Sequence, residues 1–396
     1  MDLRDSPDEA AFRAEARRWL DENLAGRFAE VRGVGRVGSE HEGRDLRVAF
    51  EQKLGADGWT CIGWPVEWGG RAASISQQVI WNEEYSQAEA PARVGVMGEG
   101  LIGPTLLAYG TTAQKERFLA PIRLGTELWC QGYSEPDAGS DLANVQTRAV
   151  RDGDEWVITG QKVWTSYAQW ADWCFVVART DPTERRHRGL SYLLVPMDQP
   201  GIEVRPIRQV TGTAEFNEVF FDGARTPVDM VVGKVNDGWR VALATLAFER
   251  GVGLLGDIVH FDHQLAAVVD RAQRSGRATD PVLRQRLAES YARLKILRLN
   301  TLRSLTGVDG PMAPPEASIS KLFWASWHRD LGELAMDVLG PAATVAEAAP
   351  YELTETQRIF LFSRADTIYG GSNEIQRNVI GERVLGLPAE PKAVLA

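Results

Sequence analysis

The strongest constraint on the fold is a change of hydrophobic period along the chain. Residues 155–159, 173–178 and 191–195 are short runs of β-branched and aromatic side chains, separated by turns rich in Gly, Pro and Asp. The pattern continues over 202–210 and 219–221. Before about Leu128 and after about Gly238, apolar residues recur instead at the three-to-four spacing of helices. Strands this close, with no helix between them, predict a compact antiparallel sheet or barrel. The expected fold is therefore α+β and multidomain. An N-terminal helical domain spans 1–127, a middle antiparallel β-barrel or sandwich 128–236, and a C-terminal four-helix-bundle-type domain 237–396. The sequence contains no internal repeat.

Local signals sharpen the flanks. Ser6-Pro7-Asp8-Glu9 reads as a capping box, with Ser at the N-cap, Pro at the first helical position and Glu at the third. Phe12, Ala16, Trp19 and Leu20 then mark the buried face of a first helix. Residues 32–43 read as a surface loop, and Thr111 with Gln114 as a second capping box. Leu283, Leu287, Tyr291, Leu294 and Leu297 form one core-facing helical stripe. Leu322, Trp324, Trp327, Leu331, Leu334 and Val338 form another, and a loop with three prolines spans 307–315 between them.

Composition narrows the class. A chain of 396 residues, 44% hydrophobic and 25% charged, can bury a large core. Its net charge of -10 argues against a nucleic-acid surface. No apolar run is long enough to cross a bilayer, so no membrane association is expected, and the first residues lack a signal-peptide core. Cys61, Cys130 and Cys174 are odd in number and far apart in sequence, which speaks against a disulfide framework, and C-x-x-C is absent. A reduced, cytoplasmic enzyme is expected.

Residues 131–141, Gln-Gly-Tyr-Ser-Glu-Pro-Asp-Ala-Gly-Ser-Asp, concentrate turn formers, hydroxyls and carboxylates between helical and strand-like segments. Taken alone they are equally an ordinary turn. Two further stretches accompany them: Gly160-Gln161-Lys162-Val163-Trp164-Thr165-Ser166, and Tyr369-Gly370-Gly371-Ser372-Asn373-Glu374-Ile375-Gln376-Arg377. In this order, and with Gly63 to Gly70 and Gly381 to Pro388, they resemble the acyl-CoA dehydrogenase family of flavoproteins over nearly the whole chain.

The resemblance implies FAD as cofactor, an acyl-CoA as substrate, and oxidation of the thioester to a trans-2-enoyl-CoA. It also implies electron transfer to an electron-transferring flavoprotein and a tetrameric assembly in fatty acid or steroid side-chain β-oxidation. By the same resemblance Tyr133, Ser134 and Ser166 lie near the isoalloxazine edge, and Trp164 packs on the ring. Ser140 approaches the pyrophosphate or the CoA portion, and Ser372 and Glu374 lie at a helix start near the cofactor. Read without the family, Trp164 is equally a core aromatic.

Such an oxidation needs a base for the α-proton, a hydride acceptor that no side chain supplies, and donors to the thioester oxygen. Many family members carry the base directly after the tyrosine of the C-terminal motif, where this chain has Gly370. Its main-chain N–H can still serve as the oxygen donor. Another group of members places a glutamate at the position matching Glu249, beside an arginine, here Arg250. Glu249 falls in a segment of helical period with Leu246, Val252 and Gly253 on its face, surroundings that favour a raised pKa. Glu249 is the candidate base, Gly370 the second catalytic position, and Arg250 and Tyr369 with Ser140 candidate substrate contacts. A structural ion pair of Glu249 with an arginine elsewhere is the alternative.

Two family motifs that reach a neighbouring subunit's FAD are not intact, at 271–276 and 339–342. The expected assembly is thus a homo-oligomer or an α2β2 tetramer in which a related subunit supplies those contacts. Actinobacterial enzymes acting on steroid side chains resemble this arrangement. An oxidase returning electrons to oxygen, or a non-catalytic structural subunit, remain as alternatives. Gly251-Val252-Gly253-Leu254-Leu255-Gly256 matches G-x-G-x-x-G in letter but lacks the preceding strand of a dinucleotide fingerprint. His260 and His263 with Asp257 and Asp262 lack a coherent ligand spacing, so no metal is expected.

Overall fold

The computed structural model describes residues 4–36, 39–248, 253–305, 317–345 and 352–389. Its contacts divide the chain into two compact units. One comprises Met1–Glu84 and Ala88–Glu249, the other Tyr85–Gln87 and Arg250–Ala396.

The chain opens with helices α1 (Pro7–Asn23), α2 (Arg44–Ala56), α3 (Ile75–Gln87), α4 (Gly103–Tyr109) and α5 (Thr112–Leu124), which belong to the first unit except for the last three residues of α3. Both expected capping boxes form. The Ser6 and Thr111 hydroxyls accept from Glu9 N and Gln114 N, and the Glu9 and Gln114 side chains accept from the cap N–H groups. Each cap contributes about 1 kcal/mol to its helix. Phe12, Ala16 and Leu20 are buried as the period requires.

Seven strands follow: β1 (Trp129–Gly132), β2 (Arg148–Asp152), β3 (Glu155–Ser166), β4 (Trp173–Arg179), β5 (Leu190–Pro196), β6 (Ile202–Ile207) and β7 (Phe216–Pro227). Helix α6 (Gly238–Phe248) completes the unit. The sheet is mixed rather than wholly antiparallel, because β4 runs parallel to both β1 and β2. Its other edge is taken along its whole length by β5. A strand has two edges, so β1 and β2 lie end to end on the same one. β2 escapes notice in the sequence because Arg148, Val150, Arg151 and Asp152 are all exposed; only Ala149 is buried. One sheet face buries Phe175, Val177, Tyr192 and Leu194 together with Phe118 and Trp129, and Val241 and Ala242 of α6 join the same cluster. The other face buries Cys174, Val176, Leu193, Val195 and Phe221.

The second unit holds α7 (Gly253–Arg274), α8 (Pro281–Leu305), α9 (Ala317–Leu339), α10 (Glu355–Asp366) and α11 (Asn373–Val379). Leu283, Leu287, Leu294 and Leu297 are buried, as are Trp327, Leu331, Leu334 and Val338. Tyr291 departs from its stripe and is exposed. The segment preceding the G-x-G-x-x-G glycines is helix α6, which excludes a dinucleotide fingerprint there. The proline loop at 307–315 lies outside the described residues. Among those described, no helix is long and apolar enough to cross a membrane.

Candidate functional site

In the first unit the candidate residues gather on the loop between β1 and β2 and on the end of β3. The loop leaves the edge of β4 after Gly132 and returns to it at Arg148. Glu135 ties its neck: its carboxylate accepts from Gln146 N at 2.5 Å, Thr147 N at 2.9 Å and Lys162 Nζ at 2.8 Å. Lys162 is fully buried and donates also to the carbonyls of Tyr133 and Val177, at 3.0 and 2.8 Å. All three ammonium protons thus have acceptors, as a desolvated charge demands. Burial pushes the Glu135 carboxyl up, but the Lys162 charge and the amide donors outweigh it and hold the pKa below its ordinary value. Burial draws the Lys162 ammonium below its own ordinary value, with Glu135 opposing.

Along β3, Trp156, Ile158 and Lys162 share the inward face. Unbroken alternation would carry Trp164 inward as well. A bulge between Lys162 and Thr165 interrupts the pairing with β7, and Trp164 adopts φ +59°. The indole therefore points outward with 58% of its surface exposed, meeting Phe216 edge-on at 6.2 Å. It is not a core aromatic. A left-handed conformation in a large non-glycine residue stores about 1–3 kcal/mol, and such strain collects at functional sites.

Ser134 and Ser166 are half-buried, and neither hydroxyl has a partner among the described residues. The Ser134 carbonyl accepts from Val163 N at 2.9 Å, one residue before the exposed indole. Ser140 sits exposed at the loop tip, beyond the Glu135–Ala138 bridge. Tyr133 is different: its ring is 5% exposed, packed edge-on against Phe175 and Tyr192, with its hydroxyl 3.5 Å from Ala242 O. It can offer a ligand its main chain but not its ring. An exposed flat indole, beside two uncommitted hydroxyls, fits a planar heteroaromatic with polar groups along its edge. The residues present fit a flavin.

Helix α6 leads to the candidate base. Thr245, fully buried, anchors it through Oγ1 contacts to Thr105 Oγ1 at 2.8 Å, Val241 O at 3.0 Å and Tyr192 OH at 3.3 Å. The helix ends at Phe248. Glu249 and Arg250 lie outside the described residues.

In the second unit the C-terminal motif forms a glycine turn between α10 and α11. Gly370 and Gly371 have φ +61° and +87°, and a Cβ at Gly371 would meet Gln376 Nε2 at 2.5 Å. Gln376, fully buried, donates to the carbonyls of Gly370 and Gly371 at 3.2 and 3.4 Å. The Gly370 N–H has no acceptor among the described residues. The Ser372 hydroxyl is spent on the N-cap of α11, accepting from Ile375 N at 3.3 Å. Glu374 lies exposed in the first turn and pairs with Arg377 at 3.3 Å. Tyr369 is 38% exposed and donates its hydroxyl to Asp366 Oδ1 at 2.6 Å. His260 faces Gln264 at 3.0 Å, and the described residues contain no group of three or more candidate metal ligands.

Sequence reasoning missed the Glu135–Lys162 pair and the Asp366 carboxylate. Lys162 carried a readable signal, since it shares its parity in β3 with Trp156 and Ile158 and an inward lysine requires an acid. Asp366 had none, because its partner His328 lies 38 residues away on another helix.

Comparison with known proteins fixes the family. Residues 6–126, 130–224 and 236–385 match the N-terminal, middle and C-terminal domains of acyl-CoA dehydrogenases. Acyl-CoA dehydrogenase IpdE1 of Mycobacterium tuberculosis is 56% identical over 388 residues, covering 97% of this chain and 99% of the relative. Acyl-CoA dehydrogenase FadE26 of the same organism is 36% identical over 351 residues, covering 85% of this chain and 86% of the relative. Among solved structures, the Tcur3481-Tcur3483 steroid ACAD superposes with a TM-score of 0.85 at 34% identity, over 98% of this chain and all of that one. The ChsE4-ChsE5 complex from Mycobacterium tuberculosis superposes with a TM-score of 0.83 at 32% identity, over 98% of this chain and all of that one. The chain belongs to the acyl-CoA dehydrogenase family and is an FAD-dependent oxidoreductase acting on CH–CH groups.

Proposed function

We propose that the protein carries out α,β-dehydrogenation of a bulky acyl-CoA, of the steroid side-chain class, to its trans-2-enoyl-CoA. One observation carries the choice of chemistry: Gly370 offers a main-chain donor without an acceptor and no side chain that could take a proton. The base must then come from elsewhere, and Glu249, directly after α6, fills the role.

Glu249 removes the α-proton of the thioester; the electron pair left on the α-carbon, delocalised in part onto the thioester oxygen, becomes the α,β double bond as hydride departs from the β-carbon. The Gly370 N–H donates to the thioester oxygen, stabilising the negative charge that develops there. Bound FAD supplies the acceptor for the hydride leaving the β-carbon. Trp164 holds the cofactor by its ring face, and Ser134 and Ser166 by their hydroxyls. Ser140, at the loop tip, and Ser372 and Glu374, beside the glycine turn, contribute polar contacts to cofactor or substrate. Arg250 and Tyr369 flank the acyl-CoA. Protonated Glu249 returns its proton to solvent after product leaves.

The steroid-type substrate is supported by the match to the Tcur3481-Tcur3483 steroid ACAD. The two-component complex also supports a related partner subunit that completes the assembly. The family resemblance supports an electron-transferring flavoprotein as the electron acceptor.

Glu249→Gln tests the mechanism. Turnover should fall at least about a thousandfold, since a general base and proton acceptor are both lost, while FAD stays bound. Turnover within tenfold of wild type would end the assignment. A panel of short, branched, long and steroid-derived acyl-CoAs, run with and without a co-expressed partner, tests substrate class and assembly. Preference for short straight chains, or full activity and FAD content of the lone chain, would overturn those two parts.

A further inference from the structure

The second unit contains a line of buried polar side chains that the chemistry above does not use. His328, on α9, is 4% exposed. Its Nδ1 lies 2.5 Å from Asp366 Oδ2, at the end of α10, and its Nε2 lies 2.9 Å from the Gln264 side-chain amide on α7. The same amide reaches His260 Nε2 at 3.0 Å. The other oxygen of Asp366 accepts from the Tyr369 hydroxyl at 2.6 Å. Lys321 Nζ donates to the Asp366 backbone carbonyl and lies 5.5 Å from the Tyr369 ring centroid. Asp366 itself is 2% exposed.

A carboxylate accepts only, so His328 donates through Nδ1 and Tyr369 donates through its hydroxyl. Three helices are thereby connected through one carboxylate to the residue immediately before Gly370. The main chain leaves α10 by Ile368 N and Tyr369 N both donating to Ala365 O, at 2.8 and 3.0 Å, and Asn373 N donating to Thr367 O at 3.0 Å closes the turn. Burying a charged acid costs several kcal/mol unless its hydrogen bonds are complete, so such a network persists for what it orders.

We infer that Asp366, oriented by His328 and Gln264, is a positioning residue for the reaction: through the Tyr369 phenol it fixes the turn that aims the Gly370 N–H. The inference rests on the role proposed for Gly370. A donor misplaced by a fraction of an ångström loses much of its effect on a developing oxyanion. Asp366 touches neither substrate nor cofactor in this role. It sets where the donor stands, and Tyr369 transmits the setting.

The test uses Tyr369→Phe, which removes one hydroxyl, and Asp366→Asn, each in the FAD-loaded enzyme with its native assembly. Two readouts are needed. The first is steady-state kinetics with the acyl-CoA turned over fastest in the substrate panel. Both variants should lower kcat by about tenfold, less than full loss of an oxyanion donor, with KM within about twofold and FAD content unchanged. The second is the infrared carbonyl stretch of the corresponding enoyl-CoA, carrying 13C at the thioester carbonyl, bound to the enzyme. Wild type should shift it to lower frequency than in water, and both variants should lose much of that shift. Wild type without a shift would refute the donor role of Gly370 itself. A wild-type shift retained in full by Tyr369→Phe, with unaltered kcat, would refute the positioning role alone. Should Asp366→Asn fail to fold, Tyr369→Phe decides the matter.

Discussion

Lys162 Nζ and Glu135 Oε1 stand 2.8 Å apart, at the point where the site loop closes on itself. Lysine and glutamate are almost never both this deeply buried without a partner. Here each is the other's partner, and the Glu135 carboxylate also collects two main-chain N–H groups from the far side of the loop. The loop neck is thus held electrostatically, from strand β3, in addition to the apolar packing of Tyr133, Ala138 and Val145 in the core.

Lys162→Met should therefore be costly. It strands a buried carboxylate and should reduce unfolding free energy by about 3–5 kcal/mol. The variant should also lose FAD more readily than wild type. Denaturant titration and the flavin absorbance of the purified protein check both effects.

Acid should act on the same pair. The folded pKa of Glu135 lies below its ordinary 4.5, so the unfolded chain binds the proton more tightly. Its contribution to stability is complete above the unfolded value and disappears as pH falls through the lower folded value. Unfolding free energy followed downward from about pH 5 should drop in wild type. Glu135→Gln should be less stable at neutral pH yet flatter across that acid window.

Trp164→Gly should separate folding from cofactor binding. Glycine adopts φ +59° without strain, which offsets its own backbone entropy cost and the lost Phe216 contact, so the apoprotein should stay within about 1 kcal/mol of wild type. Removing the indole should at the same time weaken FAD retention at least tenfold. Equal FAD affinity in wild type and variant, measured by fluorescence titration of the apoproteins, would count against the stacking role.

Thr245→Val leaves Thr105 and Tyr192 facing a methyl group where a hydroxyl had been. The expected destabilisation is about 1–3 kcal/mol for buried polar groups left short of a partner. Because α6 directly precedes Glu249, kcat should fall several-fold more than KM changes. Thr245→Ser, which keeps the hydroxyl, should restore most of the rate.

Much of the fold was legible because period and capping are local. Ser6 with Glu9, Thr111 with Gln114, and the leucines from 283 to 297 announce helices within one or two turns of chain. The strand block was equally plain, yet the parallel pairing of β4 with β1 and β2 was not. Which neighbour a strand selects is decided across dozens of residues, and β2 exposes almost every side chain. Trp164 shows the same limit at the site. Its motif located it, but only the bulge after Lys162 turns the ring outward. The alternation that was visible in sequence would have sent it into the core. For Tyr133 the polar motif gave no sign that the ring packs in the core with Phe175 and Tyr192.

The end-to-end placement of β1 and β2 along one edge of β4 makes the segment 133–147 a detachable module. Both of its ends are anchored by the same two neighbours, β3 and β4, whatever passes between them. The exposed tip residues Pro136, Asp137, Gly139, Ser140 and Asp141 can then be exchanged with little disturbance to the sheet, whereas Ala138 and Leu142 tie the span back to the core. Such a layout lets ligand preference be rewritten at a few solvent-facing positions while the foundations stay intact.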